Sequence, residues 1–378
     1  MALVVKTQVI RVVSAVKPEK YMTIKRYYLN RLPARTYLPA LLMLAGCIAG
    51  KVAVGPAPAA TGQYDSKYPS VNCSRELEQI SRSVKKVYCI SSYTTWQFRR
   101  ESAITGYHLL QGSFKKAAWG IISTNETAFG TATAIGVSET RIALLTCAHI
   151  VTTPDTLISY FEPDEENPVT CIRSFSVKEK QEIWVSELSA CGPFKVLAAD
   201  LPGDIAILGK NCEGLVDTLS PFPCRAGRAK DLAWGSFVYI FGYPLGTRMI
   251  TSGIVSPAPK RPMGEFSVDA LLNKGCSGGI IVAMRSGMAG IELVGIVKNV
   301  TSDREEILRP APEAKQNADW LPYKGEIYAG IVDNIQYGLN SMVPVESILA
   351  FYLKNRPELV SSGYCLDSFF IPPKPKNK

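Results

Sequence analysis

The run LLNKGCSGGIIV, residues 271–282, sets a serine among glycines directly ahead of an apolar β-forming segment. Within it, Gly275-Cys276-Ser277-Gly278-Gly279 has the make-up of a nucleophile turn. A serine hydroxyl is a weak nucleophile. It must stand on a tight bend where a base can reach it and where backbone N–H groups converge on the charge that develops in the reaction. Glycine supplies the bend, because without a Cβ the chain can aim its amides inward and let a substrate come close. Taken alone, such a string is also an ordinary glycine turn, so its reading depends on what lies upstream.

Working outward, the run ALLTCAHIV (residues 143–151) ends an apolar strand and places His149 where its ring can face a cleft while Leu144, Leu145 and Ile150 face a core. The chain holds two histidines, so a serine nucleophile with an imidazole base must use His108 or His149. His108, in GYHLLQG, is read as a surface or packing residue. A carboxylate is needed to accept the ring N–H and fix its tautomer. Asp204 in DLPGDIAILG is preferred to Asp200, because the apolar strand IAIL begins directly after it.

From Phe129 onward the chain is a succession of short β-rich runs separated by Gly, Pro and Asn turns, the pattern of an all-β protein. They are GTATAIGV, RIALLTCAHIV, TLISYF, TCIRSFSV, EIWVSEL, DIAILG, SFVYIFGYP, MITSGIVS, GIIVAM, LVGIVKNV and IYAGIV. VESILAFYLK (residues 345–354) has helical spacing, and SRELEQISRSVKK followed by VYCISSYTTWQF reads as a helix and then a strand.

The order His149, Asp204, Ser277, with intervals of 55 and 73 residues, resembles that of chymotrypsin-fold proteases. TCAHIV, GDIAIL, FGYPLG, MITSGIVS, KGCSGGIIV and LVGIVKNV, in that order, resemble the motif series of trypsin-like serine peptidases of the HtrA/Deg type, over roughly residues 125–355. The resemblance implies two six-stranded antiparallel β-barrels with the site between them and a C-terminal helix. It implies a serine endopeptidase acting on protein or peptide substrates, in which Ser277 is the nucleophile, His149 the general base and Asp204 its orienting acid. The oxyanion hole would be built from Gly275, Cys276 and Ser277. A substrate strand would pair with the segment around Leu293 to Lys298, with Leu293, Val294, Gly295 and Ile296 as contacts, and Leu271 would stand at the base of a specificity pocket, favouring small or medium apolar side chains. Two positions depart from the family pattern: Cys276 replaces Asn or Asp, and Ile280 replaces Pro. They leave open a peptide-binding protein of the same fold that does not cut. A cysteine nucleophile is excluded by register, since Ser277 and not Cys276 precedes the Gly-Gly pair. A PDZ-like region is not expected after the peptidase unit.

Toward the N-terminus, residues 1–46 hold eight Lys/Arg and one acidic residue, so +7 of the chain's net charge of +9 sits there. The nearly neutral remainder has no basic stripe with interleaved aromatics, so nucleic acid is not an expected partner. The basic segment precedes the short apolar run YLPALLMLAG and Cys47, which reads as an export signal. Leu44-Ala45-Gly46-Cys47 resembles a bacterial lipobox, which would make Cys47 the lipidated mature N-terminus at a cell envelope. An uncleaved signal anchor is the alternative, and Met22 is an alternative start. The expected layout is a signal over 1–46, a flexible linker over 47–70, an N-terminal extension over 71–120, the peptidase domain over 121–365 divided near 215–230, and a tail over 366–378. Ten cysteines in an exported chain point to disulfides. Cys73 with Cys89, Cys171 with Cys191 and Cys212 with Cys224 are the local pairings, with Cys147 and Cys276 staying reduced. No C-x-x-C pair, His/Cys cluster or phosphate loop is evident along the sequence, so neither metal nor cofactor is expected. The sequence does not specify an oligomeric state.

Overall fold

The computed structural model describes residues 63–66, 72–138, 140–161, 170–212, 219–256, 264–285, 290–310, 325 and 327–371. The expected signal, Cys47 and most of the linker lie outside the described residues, as do residues 372–378. Among the described residues no helix is long and apolar enough to cross a membrane.

The β-rich runs form two antiparallel sheets. In chain order the first holds β1 (Val84–Gln97), β2 (Gly120–Val137), β3 (Arg141–Thr146), β4 (Thr156–Tyr160), β5 (Ile172–Val185), β6 (Lys195–Asp200) and β7 (Ile205–Asn211), and they lie side by side as β4-β5-β1-β2-β3-β7-β6. The second holds β8 (Phe237–Gly242), β9 (Met249–Ser256), β10 (Ser267–Val268), β11 (Ile280–Met284), β12 (Ile291–Pro310) and β13 (Ile327–Pro344), in the order β10-β9-β8-β11-β12-β13. Bridges Ile183↔Phe194 and Phe266↔Met342 link the ends of each sheet, so both curl toward closure. The first sheet therefore has a closing set of six strands, as expected, with β4 added outside on β5. Residues 84–97, expected in an extension, form β1, an inner strand flanked by β2 and β5. TCIRSFSV and EIWVSEL merge into β5, and KVLAAD is an unanticipated strand, β6.

Burial follows the strand period of two: β1 alternates buried and half-buried along almost its whole length. One core joins the sheets, with Val87, Leu144, Leu145 and Ile207 from the first and Ile240, Ile281, Leu293 and Ile296 from the second. Each such side chain contributes about 1.5–3 kcal/mol of burial.

Among the described residues, six α-helices decorate this frame: α1 (Ser74–Ser83), α2 (Gly106–Leu110), α3 (Phe114–Ala117), α4 (Ala148–Val151), α5 (Val345–Ser361) and α6 (Asp367–Phe370). Around α2 and α3, Phe98, Ile104, Phe114 and Ile172 form a second small core at the far end of β1 and β5. His108 belongs to this cap, with Nδ1 3.2 Å from the Thr105 amide and 3.0 Å from its hydroxyl, closing a capping box. α5 runs past the expected Lys354, and α6 docks on it: Tyr352 donates to Asp367 at 2.6 Å and its ring stacks on Phe370 at 4.4 Å. Residues 366–370 are thus packed rather than a free tail.

Two expectations need correction. Cys191 bonds Cys212, while Cys73, Cys89, Cys171 and Cys224 are free, so none of the three local pairings forms. The reason is register. Lys195 faces Gly209 across β6 and β7, which brings the residues flanking that ladder together, with a Cα separation of 5.2 Å between Cys191 and Cys212. Cys147 and Cys276 are free and buried, as anticipated. Tyr64 and Asp65, expected within the linker, are bonded to the second sheet. Tyr64 is 2% exposed, forms a bridge with Arg285 and donates to Glu292 at 2.9 Å, while the Asp65 amide donates to Met284 O. Arg285 covers the Tyr64 ring at 4.1 Å and bonds Glu292 at 2.8 Å and Asp231 at 2.9 Å. Burial pushes the Tyr64 hydroxyl well above its ordinary pKa.

Candidate active site

Apolar residues decide where His149 points. Leu144 and Leu145 in β3, then Ala148, Ile150 and Val151 in the single turn α4, are all buried, and this leaves the His149 side chain 47% exposed. Its backbone amide donates to Asp204 Oδ1 at 2.9 Å, and ring Nδ1 lies 3.0 Å and 2.8 Å from Oδ1 and Oδ2. One carboxylate thereby fixes both the main chain and the ring. Asp204 stands at the mouth of β7, 5% exposed, with a left-handed φ of 54°. Asp is among the few residues that tolerate this region. Asp200 instead ends β6, opposite Ile205, and no described bond joins it to the histidine.

Ser277 comes from the second sheet, on the turn that leads into β11. Gly275 has φ +101°, and a Cβ there would come within 2.3 Å of Tyr243 O. Gly278 has φ +78°, and its Cβ would meet Thr131 O at 2.1 Å and Cys147 N at 3.2 Å, so the turn packs against the chain two residues before His149. Within the turn, the Cys276, Gly278 and Gly279 amides donate to Asn273 O, Val297 O and Cys276 O at 3.1, 2.8 and 2.8 Å. The amides of Gly275 and Ser277 have no acceptor among the described residues, the condition for a pair of donors free to meet an oxyanion. The Ser277 hydroxyl is half-exposed and makes no hydrogen bond among the described residues.

Sequence reading missed Thr131, which holds the serine turn to the first sheet. Its amide donates to Ser277 O at 2.8 Å, and its hydroxyl donates to Gly275 O at 2.8 Å while accepting from Tyr243 N at 3.0 Å. Thr146 in turn donates to Thr131 O at 2.7 Å. A threonine in a β-rich run gives no local sign of this, because Gly275, Tyr243 and Ser277 lie more than a hundred residues away.

The two nearby cysteines are not nucleophiles. Burial raises the Cys276 thiol pKa, and burial with the Asp204 charge holds Cys147 well above the usual thiol value, so both stay protonated.

Leu293, Val294, Gly295 and Ile296 are buried in the middle of the second sheet, with β12 paired to β11 on one side and β13 on the other. Gly295 and Ile296 pair with both β11 and β13, and Leu293 pairs with β11 while exchanging main-chain bonds with Arg225 and Gly227, so these three have no free edge for a peptide. β11 begins only at Ile280, so β12 loses that partner beyond Val297, next to Ser277. Leu271 is 72% exposed rather than at the bottom of a pocket. A cavity of about 330 Å³ lies elsewhere, lined by Lys86, Tyr88, Thr127, Phe129, Leu245 and Gly246. Phe129 borders the Gly275 turn, where a Cβ would meet its ring at 2.9 Å.

Two curled antiparallel sheets thus carry a His–Asp pair on one and a glycine-bounded serine on the other. Residues 130–296 match the model of the trypsin-like peptidase domain. Among curated proteins, it is 35% identical over 114 residues to serine protease PepD of Mycobacterium tuberculosis, an alignment covering 26% of this chain and 23% of that one. The match thus spans under a quarter of that relative. Among solved structures, it is similar to the serine endoprotease from Yersinia pestis, with 14% identity and a TM-score of 0.35 over 79% of this chain and 70% of that one.

Proposed function

We propose that the chain is an exported serine endopeptidase that hydrolyses peptide bonds in protein substrates through an acyl-enzyme. His149 Nε2 takes the Ser277 proton as Oγ attacks the scissile carbonyl. Asp204 accepts the Nδ1 proton's hydrogen bond and stabilises the imidazolium, and the Gly275 and Ser277 amides receive the oxyanion. The protonated His149 then gives its proton to the leaving amine, and water repeats the cycle on the ester. The observation that carries this reading is the two-point grip of Asp204 on His149 beside a serine turn whose Gly275 and Ser277 amides are unengaged. A substrate strand would pair with β12 beyond Val297, and the cavity beside Phe129 would take residues on the leaving side. The peptidase unit takes in β1 as an inner strand as well as residues 121–365, with Tyr64 and α6 packed at its two ends, and Cys47 is the lipid anchor to the envelope.

The unformed Ser277–His149 hydrogen bond favours one rival, a peptide-binding protein that does not cut. Catalytic hydrogen bonds often tighten only when substrate is bound. Labelling with a fluorophosphonate probe and locating the adduct by mass spectrometry separates the two. Modification at Ser277 that is lost in Ser277→Ala is expected, whereas a folded, unlabelled protein would favour the rival.

A further inference from the structure

Cys147, His149 and Asp204 each offer one ligand atom, and the three atoms lie within 4.8 Å of one another. The sequence reading expected no metal because it looked for donors close along the chain. Here Cys147 and His149 share one turn, and Asp204 arrives from the mouth of β7. The Cys147 Sγ is fully buried, 3.2 Å from Val297 O and 4.0 Å from Lys298 O, so carbonyl oxygens close its far side. No Lys or Arg pairs with Asp204 among the described residues, and the nearby Lys298 ammonium is turned to Glu265 at 2.6 Å. Peptide hydrolysis has no use for a thiol at this place.

We propose that Cys147, His149 and Asp204 form a binding site for a thiophilic divalent cation of the Zn²⁺ class, and that its occupancy silences the catalytic histidine. The donor set of one thiolate, one imidazole and one carboxylate is that of zinc rather than of Mg²⁺ or Ca²⁺, which take oxygen ligands. Metal–donor distances of about 2.0–2.3 Å keep ligand atoms some 3–4 Å apart. The cluster therefore needs only small side-chain adjustments, with the half-exposed ring turning to admit the ion. Silencing follows from proton placement and rests on the reading of His149 as the base. The cation takes the Nδ1 lone pair, so the ring proton moves through solvent to Nε2, which can then no longer accept a proton from Ser277. The thiol proton goes to solvent as Sγ binds, giving one net proton released per ion and no change of oxidation state. Thiolate and carboxylate together balance the charge of the dication.

The test uses the full chain and Co²⁺ as a spectroscopic stand-in, since a thiolate ligand gives a charge-transfer band in the near ultraviolet. A band saturating at one equivalent is expected in the wild type and in Ser277→Ala, displaced by Zn²⁺ and lost in Cys147→Ala. Cys147→Ser, which keeps the size but not the sulfur, gives a second chance of a folded variant. In parallel, Zn²⁺ should cut turnover at least tenfold, EDTA should restore it, and Cys147→Ala should raise the Zn²⁺ needed for half-inhibition at least tenfold without changing metal-free turnover. Absence of the band, or its survival in a folded Cys147 variant through another cysteine such as the exposed Cys365, overturns the proposal. Lack of turnover in the metal-free protein would sink the peptidase reading and leave the cobalt result to stand or fall alone.

Discussion

Gly278 and Thr131 together make the serine turn a single solution rather than a mobile loop. A side chain at Gly278 would collide with Thr131 O at 2.1 Å and Thr146 Oγ1 at 2.7 Å, so the two sheets meet there at backbone contact. Across that contact the Thr131 hydroxyl is the peg, bonded to both Gly275 O and Tyr243 N. Thr131→Val keeps the shape and removes the peg. It is expected to lower kcat by about ten- to a hundredfold, because the Gly275 amide loses the support that aims it at the oxyanion. KM should stay nearly constant, and steady-state kinetics on one peptide substrate checks the split. A drop confined to KM would place Thr131 in substrate binding instead. The glycines, His149 and Asp204 were legible in the sequence because their chemistry is local: a tight bend, a strand end, a carboxylate before an apolar run. Thr131 was not, since a hydroxyl that works across 144 residues leaves no neighbouring pattern. The approach of Cys147 to Asp204 was hidden for the same reason, and the exposure of Leu271 was not legible because exposure is decided by tertiary packing.

At the level of elements, the strands were readable from alternation, and the joins between them were not. β6 and the merging of two runs into β5 depend on long-range pairing, as does the Cys191–Cys212 bond, which follows the β6–β7 register rather than proximity along the chain. The strap around Tyr64 was hidden within a linker composition. Its hydroxyl sits among Glu292, Arg285 and the Arg228 amide, the last donating to it at 3.0 Å. Tyr64→Phe would leave those buried groups one partner short, at a cost of about 1–3 kcal/mol. Urea unfolding should show the lower midpoint with an unchanged slope; an unchanged midpoint would mean that the strap contributes nothing to global stability. At the other end, hydrogen bonds from Arg356 and then Tyr352 hold the Asp367 carboxyl well below the usual carboxylate range. A depressed folded-state pKa stabilises at pH above the unfolded value of about 4 and loses that contribution as pH falls through the folded value. Asp367→Asn should therefore lower Tm at neutral pH and approach wild type as the solution is acidified. A difference that widened toward acid would contradict the assignment.

For the molecule as a whole, charge is the most uneven property: residues 1–46 carry +7 of the total +9. Such a segment ahead of a short apolar run and Leu44-Ala45-Gly46-Cys47 is suited to being drawn to an anionic membrane face and then processed, and the nearly neutral remainder needs no such attraction. From Cys47 to Tyr64 is 17 residues, which reach at most about 60 Å when fully extended. With Tyr64 packed on the folded unit, lipid on Cys47 would keep that point of the unit within this distance of the bilayer. Such an anchor would set where the protein works and not whether it works. Expressed in a bacterial host with an alkyne-bearing fatty acid, the full chain should take up label and fractionate with membranes. Cys47→Ala should lose the label and leave the membrane fraction, while Ser277 reacts with the fluorophosphonate probe as before. A wild-type chain that carries no lipid, or a Cys47→Ala chain that stays with membranes, would replace the lipid tether with the uncleaved signal anchor, because a retained apolar segment needs no cysteine to hold it.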